Sequence, residues 1–335
     1  MNEFKIIENY FQKREGSQPQ VDLGIGDDAA LVHLPETHHL VVTTDILIPG
    51  THFPIDSTPQ DIAIKSLAVN LSDLAAMGAN PKWFTLALSL PEVDHSWLKS
   101  FSTTLLEQAE FYNIALIGGD TVKGPLSITI QAMGQIPKNQ ALTRSNAQKG
   151  DLIYVTGTLG DAAFGLSLIK GQHQIKNEKD YQYFVNKLNR PIPRLGTGLS
   201  LRQTATSAID ISDGLIGDLS HVLDASKKDS DLGAVIHLEK LPLSNQLKKH
   251  LGEIEAWEMA LSGGDDYELC FTIKETDCEL LETSLNNVGI SFQNIGRITG
   301  KKGIEFIHSG ALINMNLESY DHFQTSKKAV IEDVT

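Results

Sequence analysis

Short aspartate clusters, most of them beside glycine, punctuate this chain: Gly24-Ile25-Gly26-Asp27-Asp28, Thr43-Thr44-Asp45, Asn70-Leu71-Ser72-Asp73, Gly118-Gly119-Asp120, Asp210-Ile211-Ser212-Asp213-Gly214 and Gly263-Gly264-Asp265-Asp266. Carboxylates gathered at one place repel, so a fold that gathers them has to supply cations. A hard ion such as Mg²⁺ takes oxygen ligands from several segments at once, and glycine permits the tight turns and close approach this needs. The pattern therefore calls for a chain that returns repeatedly to one cleft, and a polyphosphate carried by its metals suits such a cleft. Any one cluster taken alone reads first as a turn or cap, because Asp accepts from nearby backbone N–H groups. Repetition along one chain is what favours the site.

Local patterning places the acids at element ends. A short helix is expected around Phe4 to Lys13. The run His39-Leu40-Val41-Val42-Thr43-Thr44-Asp45 reads as a strand ending in its acid. From Pro59 to Met77 the sequence predicts a helix, with Ser57 or Thr58 as cap, Pro59 in the first turn and Gly78 just beyond. Leu67, Leu71 and Leu74 make its apolar face, and Ser66, Asn70 and Asp73 form a neighbouring stripe that sets Asp73 between core and cleft. A second amphipathic helix, Ser96 to Tyr112, leads into the strand Ile114 to Ile117 and Asp120. Ser127 to Gln135 alternates as a strand, and the polar link that follows divides the chain into residues 1–138 and 139–335. The second part opens with the strand Asp151 to Val155. It continues into Gly157-Thr158-Leu159-Gly160-Asp161 at a helix start, an arrangement whose free N–H groups bind anions. Asp213 is placed to cap a helix from Gly214 to Ala225, while Asp161 and Asp218 read as surface or capping residues and Asp27 as a neighbour of the working acid. The two halves echo weakly, Asn70-Leu71-Ser72-Asp73 before Gly118-Gly119-Asp120 and Asp210-Ile211-Ser212-Asp213 before Gly263-Gly264-Asp265; duplication and chance both account for this.

The chain has 335 residues, 41% of them apolar, which is enough for two ordinary domains with separate cores. A net charge of −14 argues against nucleic acid or an anionic membrane as partner, since such binding draws on Lys and Arg. A phosphorylated small molecule stays accessible to an acidic protein through divalent cations, so strong Mg²⁺ dependence is expected. No apolar run long enough to span a bilayer and no leader-like N-terminus is present, and Cys270 and Cys278 are too few for a disulfide framework. A cytoplasmic location is expected. The phosphate loop Gly-x-x-x-x-Gly-Lys-Ser/Thr, the protein-kinase motifs, the third glycine of a dinucleotide fingerprint, EF-hand ligands and zinc spacing are all missing.

In order and spacing, Gly26-Asp27-Asp28-Ala29-Ala30, Thr43-Thr44-Asp45, Asn70-Leu71-Ser72-Asp73-Leu74-Ala75-Ala76-Met77-Gly78, Gly118-Gly119-Asp120-Thr121, Asp210-Ile211-Ser212-Asp213-Gly214 and Gly264-Asp265-Asp266-Tyr267-Glu268-Leu269 resemble thiamine-monophosphate kinases. That family shares a superfamily with aminoimidazole-ribonucleotide synthetase and selenophosphate synthetase. The resemblance implies an α/β (α+β) two-domain fold. Its N-terminal domain has a mixed sheet with helices that pairs with its twin in a homodimer, and its C-terminal α/β domain closes the cleft. It implies transfer of the ATP γ-phosphate to thiamine monophosphate with several Mg²⁺ ions. Asp28, Thr43, Thr44, Asp45, Asp73, Asp120, Asp210 and Asp213 look like the metal set, with Asp120, Asp210 and Asp213 acting on the reaction through metal. Gly119, Asp120, Arg144 and Ser212 look like the ATP side. His52, Asp265 and a C-terminal aromatic, Tyr320 or Phe323, are similar to the family's substrate-contacting positions. Asp265 departs from the family's commoner Glu by one methylene.

The residue types suit that chemistry. The acceptor is a phosphate monoester with a second pKa near ~6, so it needs no general base, only neutralisation of charge against charge. A thiazolium ring suits a carboxylate and an aromatic face. Competing readings are another ATP-using superfamily member with a different acceptor, and a nucleotide or Mg²⁺ sensor without turnover. No Cys precedes Cys270 and none lies in the C-terminal tail, which counts against a selenophosphate synthetase and a hydrogenase-maturation relative.

Overall fold

Thr58 and Pro59 start the helix on which the molecule is assembled. The Thr58 hydroxyl accepts the Asp61 N–H at 3.1 Å, Pro59 occupies the first turn, and Gly78 at φ +66° ends the segment just after Met77. The computed structural model describes residues 3–12, 20–227, 231–286, 289–315 and 317. In the first part these form α1 (Glu3–Ile6), β1 (Val21–Leu23), β2 (Leu31–Val32), β3 (His38–Leu47), α2 (Pro59–Ala76), β4 (Asn80–Leu90), α3 (His95–Phe111), β5 (Ala115–Lys123) and β6 (Ser127–Pro137). Strands β3, β6, β4 and β5 make one mixed sheet in that order, parallel only between β4 and β5. Helices α2 and α3 cover one face, and their apolar residues join Phe84, Leu86, Ile128 and Ile130 in a single core.

The second part contains β7 (Leu152–Thr156), α4 (Asp161–Ile169), α5 (Glu178–Asn189), α6 (Leu195–Leu201), β8 (Ala205–Ile211), α7 (Leu215–Ser226), β9 (Gly233–His237), α8 (Asn245–His250), α9 (Glu253–Ser262), β10 (Glu268–Ile273), α10 (Cys278–Asn286), β11 (Phe292–Thr299), β12 (Gly303–His308) and β13 (Ala311–Ile313). Its seven-stranded sheet runs β13-β12-β9-β11-β7-β10-β8. Every residue of β10 is buried, as a strand with neighbours on both edges and cover on both faces must be. Cys270 lies in it, and burial pushes its thiol well above the ordinary range.

Helix α2 belongs to both halves. Leu67, Leu71 and Leu74 are fully buried, each worth roughly 1.5–3 kcal/mol against exposure. Two residues of the polar stripe are buried too: the Ser66 hydroxyl and the Asn70 amide N–H donate to α2's own carbonyls, while Asn70 Oδ1 has no partner among the described residues. One apolar face was expected; the helix is enclosed on nearly all sides because α6 and β8 of the second part pack on it. The echo between the halves has no counterpart in local structure. Asn70-Leu71-Ser72-Asp73 lies inside a helix, whereas Asp210-Ile211-Ser212-Asp213 leaves the end of a strand.

Candidate active site

Alternation along β3 turns Thr43 and Asp45 toward α2 and Thr44 away from it. The Thr43 hydroxyl donates to the Asp73 carboxylate. From α2, Ser72 donates across the domain boundary to Asp210 Oδ2 at 2.8 Å. Acids from β3, α2 and β8 thus converge where the two domains meet. Burial, then the Asp73 charge, lifts the Asp45 carboxyl to about 7. Asp210, fully enclosed, is lifted to about 8 by burial and next by Asp73. Asp73 is raised by burial, against the opposing pull of the Thr43 hydrogen bond and the Arg144 guanidinium. The group is short of positive charge, which is the electrostatic signature of a cation site.

Two loops of the second domain close on these acids. Asp218, one turn into α7, accepts the N–H groups of Ser212 at 3.0 Å and Asp213 at 3.1 Å, and so holds the loop that carries both. Burial raises Asp218 to about 7, and Arg144 opposes the shift. Arg144 therefore stands near Asp73 of one domain and Asp218 of the other, and its carbonyl is fixed by the Ser226 hydroxyl at 3.0 Å. Gly264 lies against the Ser212 carbonyl, where a Cβ would come within 2.4 Å. The next residues are pinned to the same loop, Asp265 N–H to Ser212 O at 2.9 Å and Tyr267 N–H to Ile211 O at 2.8 Å. Asp265 and Tyr267 hold positive φ, +68° and +50°, the strained backbone that persists where the surroundings over-determine it. The Lys65 ammonium, reaching from α2, is 2.7 Å from Asp265 Oδ1.

Several expectations are corrected. Asp218 and Asp161 are buried, not surface residues. Asp213 does not cap α7: Gly214 occupies the N-cap with no side-chain cap, and Asp218 instead accepts the N–H groups of Ser212 and Asp213 ahead of the helix. The start of α4 is not open to a phosphate: both Asp266 oxygens accept the Gly160 N–H, at 3.1 and 2.9 Å. Lys65 and Asp218 were not foreseen as site residues. A Lys or Asp within a helix ordinarily reads as solvated, and only the spacing of Asp218 behind the Asp210 motif hinted at a role.

Other candidates are not joined to the acid cluster by any described contact. Asp28 lies in an exposed bend and donates its N–H to Asp27. Thr44, on the outer face of β3, accepts from Gln131 at 3.3 Å. Asp120 pairs in register with exposed Ala87, and its carboxylate accepts the Thr121 N–H at 2.8 Å. Gly119 beside it has to be glycine, since a Cβ would sit 1.9 Å from the Leu86 carbonyl oxygen. His52 accepts the Ile48 N–H within its own turn at 3.2 Å. Tyr320 and Phe323 lie outside the described residues.

Among the described residues no three carboxylate, imidazole or thiol side chains are grouped so that they could hold a metal ion by themselves. The donor set still fits Mg²⁺, which keeps several waters and is ordinarily held by one or two carboxylates together with substrate phosphates. Asp45, Asp73 and Asp210 would supply hard oxygens, their carboxyls raised first by burial and, at Asp45 and Asp210, then by the charge of Asp73.

Residues 26–136 match the family described as AIR synthase related protein, N-terminal domain, and residues 148–309 match the corresponding C-terminal domain. The chain is 48% identical to the thiamine-monophosphate kinase of Escherichia coli strain K12 over 324 residues, covering 96% of this chain and 98% of that one. The crystal structure of thiamine-monophosphate kinase from Stenotrophomonas maltophilia K279a is similar with a TM-score of 0.81 and 43% identity, over 92% of this chain and 95% of the other. AaThiL complexed with AMPPCP and TMP is similar with a TM-score of 0.73 and 29% identity, over 96% of each chain.

Proposed function

The chain belongs to the thiamine-monophosphate kinase family, and we infer that its cleft carries the γ-phosphate of ATP directly to the phosphate of thiamine monophosphate. It is an ATP-dependent phosphotransferase whose acceptor is itself a phosphate, giving thiamine diphosphate and ADP. The observation that carries the mechanistic reading is the meeting of Asp45, Asp73 and Asp210 across the domain boundary, Asp210 buried, Asp45 and Asp73 half-buried, and all mutually repelling. Mg²⁺ held by these carboxylates would supply the positive charge that lets two anionic phosphates approach each other.

Asp45, Asp73, Asp210 and Asp213 would hold the ions with Thr43. Asp28, Thr44 and Asp120 belong to the proposed set through the family's motifs alone, since no described contact joins them to the cluster. Arg144, Ser212 and Gly119 take the ATP side; the Arg144 guanidinium, placed between acids of both domains, clamps phosphate once those acids are neutralised. Asp265 and His52, with Tyr320 or Phe323, take the acceptor. The acceptor phosphate is already ionised near neutral pH, so no side chain has to remove a proton and no phosphorylated enzyme forms.

Further proposals concern setting. Leu40, Val42 and Ile46 make an exposed apolar stripe on edge strand β3, on the sheet side away from α2, which supports a homodimer built on that stripe. Residues 1–138 and 139–335 are proposed as the two domains. Among the described residues no helix is long and apolar enough to cross a membrane. The unpaired thiols of Cys270 and Cys278 suit a reducing cytoplasm. A sensor without turnover, or a different acceptor, is not favoured by kinship with kinases of thiamine monophosphate.

The test is incubation with ATP chiral at the γ-phosphorus, thiamine monophosphate and Mg²⁺. Thiamine diphosphate with inverted configuration, and none without Mg²⁺, is expected. Retention would require a phosphorylated enzyme and would overturn direct transfer.

A further inference from the structure

Lys65 is an unusual residue to find inside this molecule. Its side chain is 2% exposed in the middle of α2, and a buried ammonium is retained only where something compensates it. The compensating group is Asp265, which arrives from the other domain on a left-handed, strained turn. The Asp265 backbone is already tied to Ser212, but its side chain has different holders: the Lys65 ammonium 2.7 Å away, an ion pair without hydrogen-bond geometry, and the Tyr267 hydroxyl, donating at 3.2 Å. Both contacts go to Oδ1. Oδ2 has no hydrogen-bond partner among the described residues, and the Asp265 side chain stays 28% exposed.

We propose that Lys65 is a positioning residue for the acceptor: it pins one oxygen of Asp265 so that the other is presented to the cationic ring of thiamine monophosphate. The inference rests on the reading that Asp265 contacts substrate. Lys65 and Asp73 are eight residues apart on α2, on the order of 12 Å. The same rigid helix therefore carries a metal-side acid and the holder of the acceptor-side acid, and so registers acceptor against donor.

Two consequences of removing Lys65 oppose each other. The freed Asp265 charge would attract a cation more strongly, but for a partly exposed pair that is worth no more than about fivefold. Lost alignment is the larger effect, since a displacement of about 1 Å can cost on the order of a hundredfold in rate. Activity should therefore fall.

The experiment compares wild type, Lys65→Met, Asp265→Asn and the double variant by steady-state kinetics in both substrates, with thermal unfolding of each. Methionine keeps the length and removes the charge, so the buried position stays filled. The expected result is a drop of roughly tenfold in kcat/KM for thiamine monophosphate in Lys65→Met, KM for ATP unchanged, and no further loss when Lys65→Met is added to Asp265→Asn. Wild-type kinetics in Lys65→Met beside an impaired Asp265→Asn would overturn the role of Lys65 and leave Asp265 at the substrate. Wild-type kinetics in Asp265→Asn would overturn the substrate contact itself. Equal losses toward both substrates with a lowered melting temperature would reduce the pair to a brace between domains and overturn the proposal.

Discussion

Two clusters of buried and half-buried acids lie within this molecule, and they are built on different plans. In the second domain, Asp161 accepts from Thr158 at 2.7 Å, Tyr183 at 2.8 Å and Ser244 at 2.5 Å. Asp266 accepts the Gly160 N–H, and Glu268 is held by Arg194 Nε at 2.6 Å, by the second guanidinium nitrogen and by Thr156 at 2.5 Å. In the cleft, Asp73 has Thr43, Asp210 has Ser72, and Asp45 has no side-chain hydrogen bond among the described residues. Carboxylates that are saturated with donors serve the fold. Carboxylates left short of donors, held together despite repulsion, wait for a charge that the protein does not supply. Burial alone separates neither group from the other; the count of partners sets Asp161 and Glu268 apart from the cleft acids, whereas Asp266, with one N–H donor and a carboxyl that burial raises well above its ordinary value, resembles the cleft acids.

The largest effect that would break this contrast is on catalysis. Asp73→Asn keeps the shape and an acceptor for Thr43 while removing a ligand charge, and transfer should fall by roughly a thousandfold or more. Its melting temperature should hold or rise, because one of the repelling carboxylates is gone. Unfolding scans and product assays on the same preparation check both halves, and near-native turnover would remove Asp73 from the site.

The reverse outcome is expected in the saturated cluster. Arg194→Met leaves the Glu268 carboxylate buried without its cation, a destabilisation of roughly 3–5 kcal/mol. Denaturant unfolding should show that loss while turnover per folded molecule survives. A variant as stable as wild type would mean that the ion pair contributes nothing net.

A smaller effect sharpens the comparison through pH. Asp45 and Asp210 keep their protons up to about 7 and about 8 in the folded chain, well above where an unfolded carboxyl ionises. Between the unfolded value and these values the folded state binds more protons than the unfolded one, so stability without metal falls as pH rises through that window. Melting temperature without Mg²⁺ should therefore be lower at about pH 8.5 than at about pH 6, and Mg²⁺ with an ATP analogue should raise it most at the alkaline end. A flat profile would mean that these carboxyls are not held protonated.

Much of this arrangement was legible in the chain. Helix α2 announced itself through Thr58, Pro59, Gly78 and its leucine spacing, and β3 and β6 through alternation, because those signals are local. Asp45, Asp73 and Asp210 could be named from their motifs, although no spacing rule says that Ser72 meets Asp210 across 138 positions. What stayed hidden depends on tertiary contact. Lys65 reads as a solvated helix residue until Asp265 arrives from the other domain. Gly160 reads as the mouth of an anion site until Asp266 is seen to fill it. Asp218 reads as surface until the loop it holds folds back on it. In each case the sequence names a donor or an acceptor, and only the fold says which partner comes first.

The measurement that bears most directly on the account is a count of bound Mn²⁺, as a stand-in for Mg²⁺, by electron paramagnetic resonance in the presence of an ATP analogue. It is made on wild type, Asp73→Asn and Arg194→Met. Wild type and Arg194→Met should bind the same number of ions, and Asp73→Asn fewer. An unchanged count in Asp73→Asn would contradict the claim that the donor-poor acids between the domains are the cation site.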